Sequence, residues 1–137
     1  MPPLLLDTHT AIWLVHNEPI ARQAEEAINA VQQTDGTLLV SPITAWEVGS
    51  LVSLKRVNLL ATPQRWFARL LSIPNVQLAE MSPDILIAAS FLPGAPPRNP
   101  ADRILIATAR ELAATLVTRD REIIVYGEQG NVSVVVC

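Results

Sequence analysis

The sequence predicts an α/β fold, a three-layer α/β/α sandwich built around a short parallel sheet. Short apolar runs alternate with longer segments of helical character along the whole chain. Continuously apolar runs of this kind are typical of parallel strands that are buried on both faces. The chain has 137 residues, 50% of them hydrophobic and 17% charged, and no repeat or linker divides it. A single domain over residues 1–137 is therefore expected.

The first half of the chain predicts two strands and three helices. Apolar runs bounded by turn residues are typical of buried strands, and apolar residues three or four apart are typical of helices that cover a sheet. The second helix has such a face at Ile20, Ala24, Ala27, Ile28 and Val31. The predicted elements are a strand over residues 4–6, a helix after Asp7, a helix over 18–33, a strand over 37–40 and a helix over 43–56.

Capping residues followed by proline open three helices of the second half. Thr62, Ser82 and Asn99 each place a side-chain acceptor before a proline, a residue that is tolerated in the first helical turn. A proline-rich loop over residues 93–100 precedes the third of these helices. The predicted elements are a helix from residue 63 that Pro74 ends, a strand over 76–79, a helix over 83–92, a helix over 100–114, a strand over 116–118, a helix over 121–126 and a strand over 132–136.

Composition narrows the possible classes of function. The net charge is −3 and the sequence pI is near 5.3, which argues against holding nucleic acid by bulk positive charge. Charge or proline interrupts every long apolar run, so neither a membrane span nor a secretory signal is expected. The single cysteine, Cys137, excludes a disulfide framework and favours the cytoplasm. A mean hydropathy of +0.30 suggests a surface that a partner covers.

Four acidic residues stand where the predicted chain leaves a strand or enters a helix. Asp7 and Asp120 each follow a strand, Asp102 falls in the first turn of a helix, and Glu47 is a lone acid on an apolar helix. The carboxyl ends of parallel strands meet at one edge of a sheet, so these side chains would converge if the strands before Asp7 and Asp120 are neighbours. Carboxylates without matching bases are ligands for one or two hard divalent cations such as Mg²⁺. A pair of such ions suits in-line phosphoryl displacement.

Each acid also has a structural role open to it. Asp7 and Asp120 could cap the helices that follow them, and the positive end of its helix is expected to lower the pKa of Asp102. Glu47 could be a surface glutamate, although an unpaired charge among apolar neighbours is costly. The coincidence of the four acids favours the metal site. Thr8 and Thr118 would then serve as hydroxyl neighbours of the ligands.

Four segments, residues 6–10, 41–48, 99–109 and 116–120, together resemble the PIN-domain ribonucleases. They look most like the VapC-type toxins of bacterial toxin–antitoxin modules, in the order of that family and over essentially the whole chain. One departure is Asn99, where many relatives carry an aspartate before the proline. Asparagine caps a helix equally well.

The resemblance implies an endoribonuclease that depends on Mg²⁺ or Mn²⁺ and hydrolyses RNA phosphodiester bonds. The family's acidic cluster would be both metal-binding and catalytic, with Thr118 as its hydroxyl neighbour. A homodimer is also implied, silenced by a cognate antitoxin that lies along an apolar groove. The residues that match the acidic cluster are Asp7, Glu47, Asp102 and Asp120.

Arginines are the candidates for contacts with RNA, because their planar fork suits bidentate phosphate binding and Lys55 is the only lysine. His9 and His16 are interpreted as a pair on a helix surface, and the tryptophans as core or interface residues. A non-catalytic metal-binding or protein-interaction module on the same fold is the alternative function. The candidate RNA-binding residues are Arg98, Arg103, Arg119 and Arg121.

Overall fold

A computed structural model describes residues 2–137, which form a central sheet of five strands flanked by seven helices. The predicted α/β class and the order of the elements are confirmed. In chain order the elements are β1 (Leu4–Leu6), α1 (Thr8–His16), α2 (Arg22–Gln33), β2 (Leu38–Val40), α3 (Pro42–Ser53), α4 (Pro63–Ser72), β3 (Val76–Leu78), α5 (Pro83–Ser90), α6 (Pro100–Glu111), β4 (Thr115–Thr118), α7 (Arg121–Glu128) and β5 (Val134–Val136).

All five strands are parallel, in the order β3-β2-β1-β4-β5. The central strand β1 pairs with β2 on one side and with β4 on the other, so that Leu5 lies between Leu39 and Leu116. The chain moves outward from β1 to β3 and then returns to place β4 on the opposite side. The strand order therefore reverses between β1 and β4, and the crevice at the carboxyl ends of such strands is where α/β proteins bind ligands.

Alternate residues of β1 belong to different hydrophobic cores. Leu4 and Leu6 pack in a core with residues from α1, α2, α3 and α4, including the buried Trp66. Leu5 packs in a second core with residues from α6 and α7. Since successive side chains of a strand point to opposite faces, the sheet is covered on both sides. This is the three-layer arrangement that the continuously apolar strands predict.

Some helix boundaries differ from those predicted. Helices α3 and α6 end at Ser53 and Glu111 because left-handed residues follow, Lys55 at φ 57° and Ala113 at φ 51°. In both cases the next N–H donates back to a carbonyl of the last turn, which closes the helix. Helix α5 ends at Ser90 and not near residue 92, shortly before the proline-rich loop. The remaining strand and helix ends lie within two residues of the predictions, except at the start of α2.

Helix α2 begins at Arg22, later than predicted. Helix α1 closes through Asn17, which adopts a left-handed conformation at φ 53°, and Glu18 N–H donates to the Trp13 carbonyl at 2.9 Å. The residues after Glu18 therefore redirect the chain before α2 can begin. His16, in the last turn of α1, is half-buried and accepts a hydrogen bond of 3.1 Å from the indole of Trp66. It is not the surface residue that the sequence suggested.

Several large apolar side chains remain exposed on the helices and loops. Trp46 of α3 is 67% exposed, Phe91 after α5 is 81% exposed, and Leu60 is 87% exposed. None of the helices in residues 2–137 is long and apolar enough to cross a membrane.

Candidate metal centre

A pocket of about 460 Å³ opens at the carboxyl ends of β1 and β4. The structure brings all four predicted acids together in its wall, although they come from four separate segments of the chain. The acids are Asp7, Glu47, Asp102 and Asp120, and the other lining residues are Thr8, His9, Trp13, Asn99, Leu105 and Arg119. The sequence predicts this convergence only if the strands before Asp7 and Asp120 are neighbours. In the structure β1 does pair with β4.

Asp7 is held by its own helix and by the neighbouring strand. Its Oδ1 accepts a hydrogen bond of 3.0 Å from the N–H of Thr10, which makes it the N-cap of α1. Its Oδ2 accepts a hydrogen bond from the Thr118 hydroxyl. That hydroxyl also accepts a bond of 2.9 Å from the Asp120 N–H, so one threonine of β4 links two of the acids. Asp7 is therefore fixed in orientation as well as buried.

Glu47 lies on the second turn of α3 and faces α1. The Thr8 hydroxyl donates to its Oε1 at 2.5 Å, and the side chain is half-buried. Burial raises the pKa of Glu47, the hydrogen bond from Thr8 lowers it, and the charge of Asp7 raises it again. The net direction is upward. Glu47 is thus a positioned acid inside the pocket, and Thr8 stands beside it as the sequence suggested.

Asp102 lies in the first turn of α6, where Asn99 caps the helix through bonds to the N–H groups of Ala101 and Asp102 at 2.9 and 3.2 Å. Burial first, and then the charges of Asp120 and other neighbouring acids, together raise the pKa of Asp102 to about 7. The expected lowering by the helix end is therefore wrong. Desolvation and like charge act on this carboxyl more strongly than the helix dipole does.

Asp120 caps α7, and the same turn brings in an acid that the sequence did not single out. Asp120 Oδ1 accepts bonds from the N–H groups of Glu122 and Ile123 at 2.9 and 3.2 Å. Oxygens of Asp102, Asp120 and Glu122 lie within 4.8 Å of one another. Glu122 follows Asp120 by two residues in a first helical turn, and this spacing was the only sequence signal for its proximity.

The donor set fits a hard divalent cation. Carboxylate oxygens predominate in the pocket, and Arg119 is the one arginine or lysine that lines it among residues 2–137. Burial, and after it the charges of neighbouring carboxylates, raise the pKa values of Glu47 and Asp102, and a bound cation would offset both effects. Oxygen ligands of this kind are those that Mg²⁺ and Mn²⁺ take in proteins.

A sequence profile of the PIN domain family matches residues 4–128, which includes all of these acids. The chain belongs to the PIN domain family. Ribonuclease VapC22 of Mycobacterium tuberculosis is 33% identical to this PIN domain over 123 residues, covering 90% of the chain and 91% of the relative.

Solved structures agree with the fold of this PIN domain. A chain of the VapBC2 structure from Rickettsia felis, bound to a DNA fragment from their promoter, superposes with a TM-score of 0.69 at 16% identity and covers 98% of both chains. A chain of the DNA-bound VapBC structure from Salmonella typhimurium gives a TM-score of 0.66 at 19% identity, covering 99% of this chain and 98% of its own. At these identities the likeness concerns the fold.

Arg103 of this PIN domain donates hydrogen bonds to two main-chain carbonyls next to the site. Its Nε donates to the Ala89 carbonyl at 2.8 Å, and another guanidinium nitrogen donates to the Pro97 carbonyl at 3.1 Å. The hydroxyl of Tyr126 donates to the Pro93 carbonyl at 2.5 Å. These bonds tie down the proline-rich loop that leads into α6. Arg103, a candidate RNA contact from the sequence, therefore already uses one donor on α5 and one on the loop before Asp102.

Replacing Arg103 by alanine is expected to lower the melting temperature of this PIN domain. The carbonyls of the buried residues Ala89 and Pro97 would lose a charged donor, at about 1–3 kcal/mol, which corresponds to a fall of roughly 3–10 °C. Thermal unfolding followed by circular dichroism measures it. Arg98→Ala is the matched control, because Arg98 is exposed in the same loop and no hydrogen bond involves its side chain within residues 2–137. Equal melting of the two variants would contradict the role given to Arg103.

The other candidate arginines differ in their surroundings. Arg98 and Arg121 are exposed and lie outside the pocket lining, whereas Arg119 forms part of it. His9 is exposed at the same wall, with its ring centroid 5.9 Å from that of Trp13. Neither His9 nor Trp13 was predicted to line a pocket with the acids, since that depends on how α1 packs over β4.

Proposed function

We propose that the chain is a metal-dependent endoribonuclease that acts as the toxin of a toxin–antitoxin pair. The observation that carries the proposal is the convergence of Asp7, Glu47, Asp102 and Asp120 on one pocket at the reversal of strand order. The relative named Ribonuclease VapC22 supports RNA as the substrate. The fold shared with chains of VapBC structures supports the toxin role.

Mg²⁺ or Mn²⁺ is the proposed cofactor, and the four acids are its proposed ligands and the catalytic residues, with Glu122 as a further acid beside them. When bound, such a cation supplies Lewis-acid stabilisation of the charge that develops on the phosphate during hydrolysis. The chain's own part is to fix the carboxylates in advance. Thr118 orients Asp7 by donating to it, and Thr8 orients Glu47 in the same way.

A cognate antitoxin protein and a second copy of the chain are the proposed protein partners, and the cytoplasm is the proposed compartment. The exposed apolar side chains, Trp46 and Phe91 among them, support association with other chains. Light scattering of the purified chain, alone and with a bound partner, measures both assemblies. A monomer at all concentrations would contradict the dimer.

Cleavage of a mixed pool of transfer and ribosomal RNA is the experiment that tests the proposed function. Partner-free protein is incubated with the pool in Mn²⁺ or Mg²⁺, with and without a chelator. We expect cutting that the chelator abolishes and that added metal restores. A folded protein that neither cuts the pool nor binds Mn²⁺ by calorimetry would support the non-catalytic interaction module instead.

A further inference from the structure

Arg119 is held in place at the wall of the acidic pocket. Its guanidinium carbon lies 4.1 Å from the centroid of the Trp13 ring, which is a cation–π contact. Its Nε donates to the main-chain oxygen of Cys137 at 3.0 Å. The contact with the ring fixes one face of the guanidinium, and the hydrogen bond fixes one edge. An exposed arginine normally samples many rotamers, so this restraint is a specific feature of the site.

The two terminal nitrogens of Arg119 are not used by the fold. Neither donates a hydrogen bond to any residue in the part of the chain that the structure describes. A planar guanidinium with two free donors matches the geometry of a phosphate group, to which it can bind bidentately. Because the side chain is already ordered, less conformational entropy would be lost when an anion binds.

The negative charge of the pocket would repel RNA unless a positive side chain offsets it, and Arg119 is placed to do so. The four acids repel a polyanion such as RNA, and a divalent cation bound among them offsets part of that repulsion. One such ion carries two positive charges against four carboxylates, so phosphates on either side of it still meet a net negative wall. Within residues 2–137, Arg119 is the one arginine or lysine in the wall that could offset this charge.

We propose that Arg119 binds a backbone phosphate of the RNA next to the one that is cut, and that Trp13 is the positioning residue that holds its guanidinium ready. This inference rests on the proposed nuclease function and deepens it, because it selects one arginine from the four candidates. Arg119 would fix the register of the strand across the acids and take no part in bond breaking.

The salt dependence of RNA binding tests the proposal. The probe is a short fluorescein-labelled single-stranded RNA of mixed sequence, measured by anisotropy in Mn²⁺ over a series of NaCl concentrations. All proteins carry Asp7→Asn so that the probe is not cut. In that background, Arg119→Gln is expected to weaken binding about tenfold. It should also reduce the slope of log affinity against log salt by about 0.7, the value for one phosphate contact on a single strand.

The ring contact predicts a different signature. Trp13→Leu keeps the positive charge of Arg119 but removes the ring that holds its guanidinium. RNA binding should therefore weaken while the salt slope stays unchanged. Trp13→Phe keeps a ring and should bind more tightly than Trp13→Leu. Arg69→Gln is the matched control, because Arg69 is exposed on α4, outside the pocket lining, and loses the same charge. It should bind as the Asp7→Asn parent does.

An Arg119→Gln variant with the affinity and salt slope of its parent would overturn the phosphate contact. A Trp13→Leu variant that binds as its parent does would overturn the positioning role. These failures differ from a failure of the proposed function, which the unsubstituted chain reports. If the unsubstituted chain cuts the RNA pool and Arg119→Gln binds normally, the proposed nuclease function is supported and only the phosphate contact of Arg119 is wrong. If the unsubstituted chain neither cuts nor binds RNA, both are wrong.

Discussion

Asp7→Asn is expected to reduce the rate of RNA cleavage by about a thousandfold or more while the fold stays intact. A bound divalent cation contributes several kcal/mol to the stability of the transition state, and each 1.36 kcal/mol is worth a factor of about ten. Asparagine removes the charge from the most buried acid of the pocket. Its side-chain oxygen can still accept the hydrogen bond from the Thr10 N–H, so the cap of α1 remains. Single-turnover cleavage of a labelled RNA measures the loss, and Asp102→Asn should behave alike.

The matched control for these variants is Asp84→Asn. Asp84 is an exposed acid in the first turn of α5, outside the pocket lining, and its replacement changes the net charge by the same amount. We expect it to cut RNA at the rate of the unsubstituted chain. If Asp7→Asn and Asp102→Asn also cut at that rate, the acidic pocket is not the catalytic site.

Divalent metal is expected to stabilise the protein strongly at neutral pH and weakly at acidic pH. The folded-state pKa of Asp102 is about 7, well above its ordinary value of 3.8. A group whose pKa is raised by folding favours the folded state fully at low pH. That contribution is lost as pH rises from about 4 towards 7. Over this range Asp102 ionises in the unfolded chain but stays protonated in the folded chain. The metal-free protein should therefore lose stability across this range.

Metal binding reverses this loss, because the ionised carboxylates bind the cation. At a hundredfold excess over its dissociation constant, Mn²⁺ should stabilise the fold by about 2.7 kcal/mol, or roughly 10 °C in melting temperature. Differential scanning fluorimetry from pH 5 to pH 8, with and without Mn²⁺, measures the effect. Asp102→Asn is expected to melt higher than the unsubstituted chain when both are metal-free at pH 7.5, since it removes a repelled charge. A lower melting temperature for that variant would contradict the claim that the ionised Asp102 carboxylate destabilises the metal-free fold.

Local signals in the sequence were sufficient to predict most of the fold. Asp7, Thr62, Ser82, Asn99 and Asp120 each cap the helix that follows, as residue type and spacing indicate. Helix ends were predicted less well. The left-handed residues that close α1, α3 and α6 are asparagine, lysine and alanine, and neither lysine nor alanine signals such a turn by its type.

The site was predicted as a set of acids, but the environment of each acid was not. The position of Asp102 in a first helical turn suggested a lowered pKa, whereas burial beside other carboxylates raises it. Arg103 and Arg119 look alike in the sequence. In the structure, the first donates to a carbonyl of α5 and to a carbonyl of the proline-rich loop, and the second stands over Trp13 at the pocket wall. Only the packing of distant segments distinguishes them.

The sequence by itself determined the α/β class, the order of the elements and the acids that could meet, because hydrophobic pattern and capping act over a few neighbouring residues. It also carried the resemblance to PIN-domain ribonucleases, through four segments in order. Tertiary structure alone decided that β4 lies beside β1, that Glu122 joins the acids and that Arg119 rests on Trp13. Desolvation and charge repulsion depend on which groups are neighbours in space, and those neighbours come from parts of the chain that are far apart in sequence.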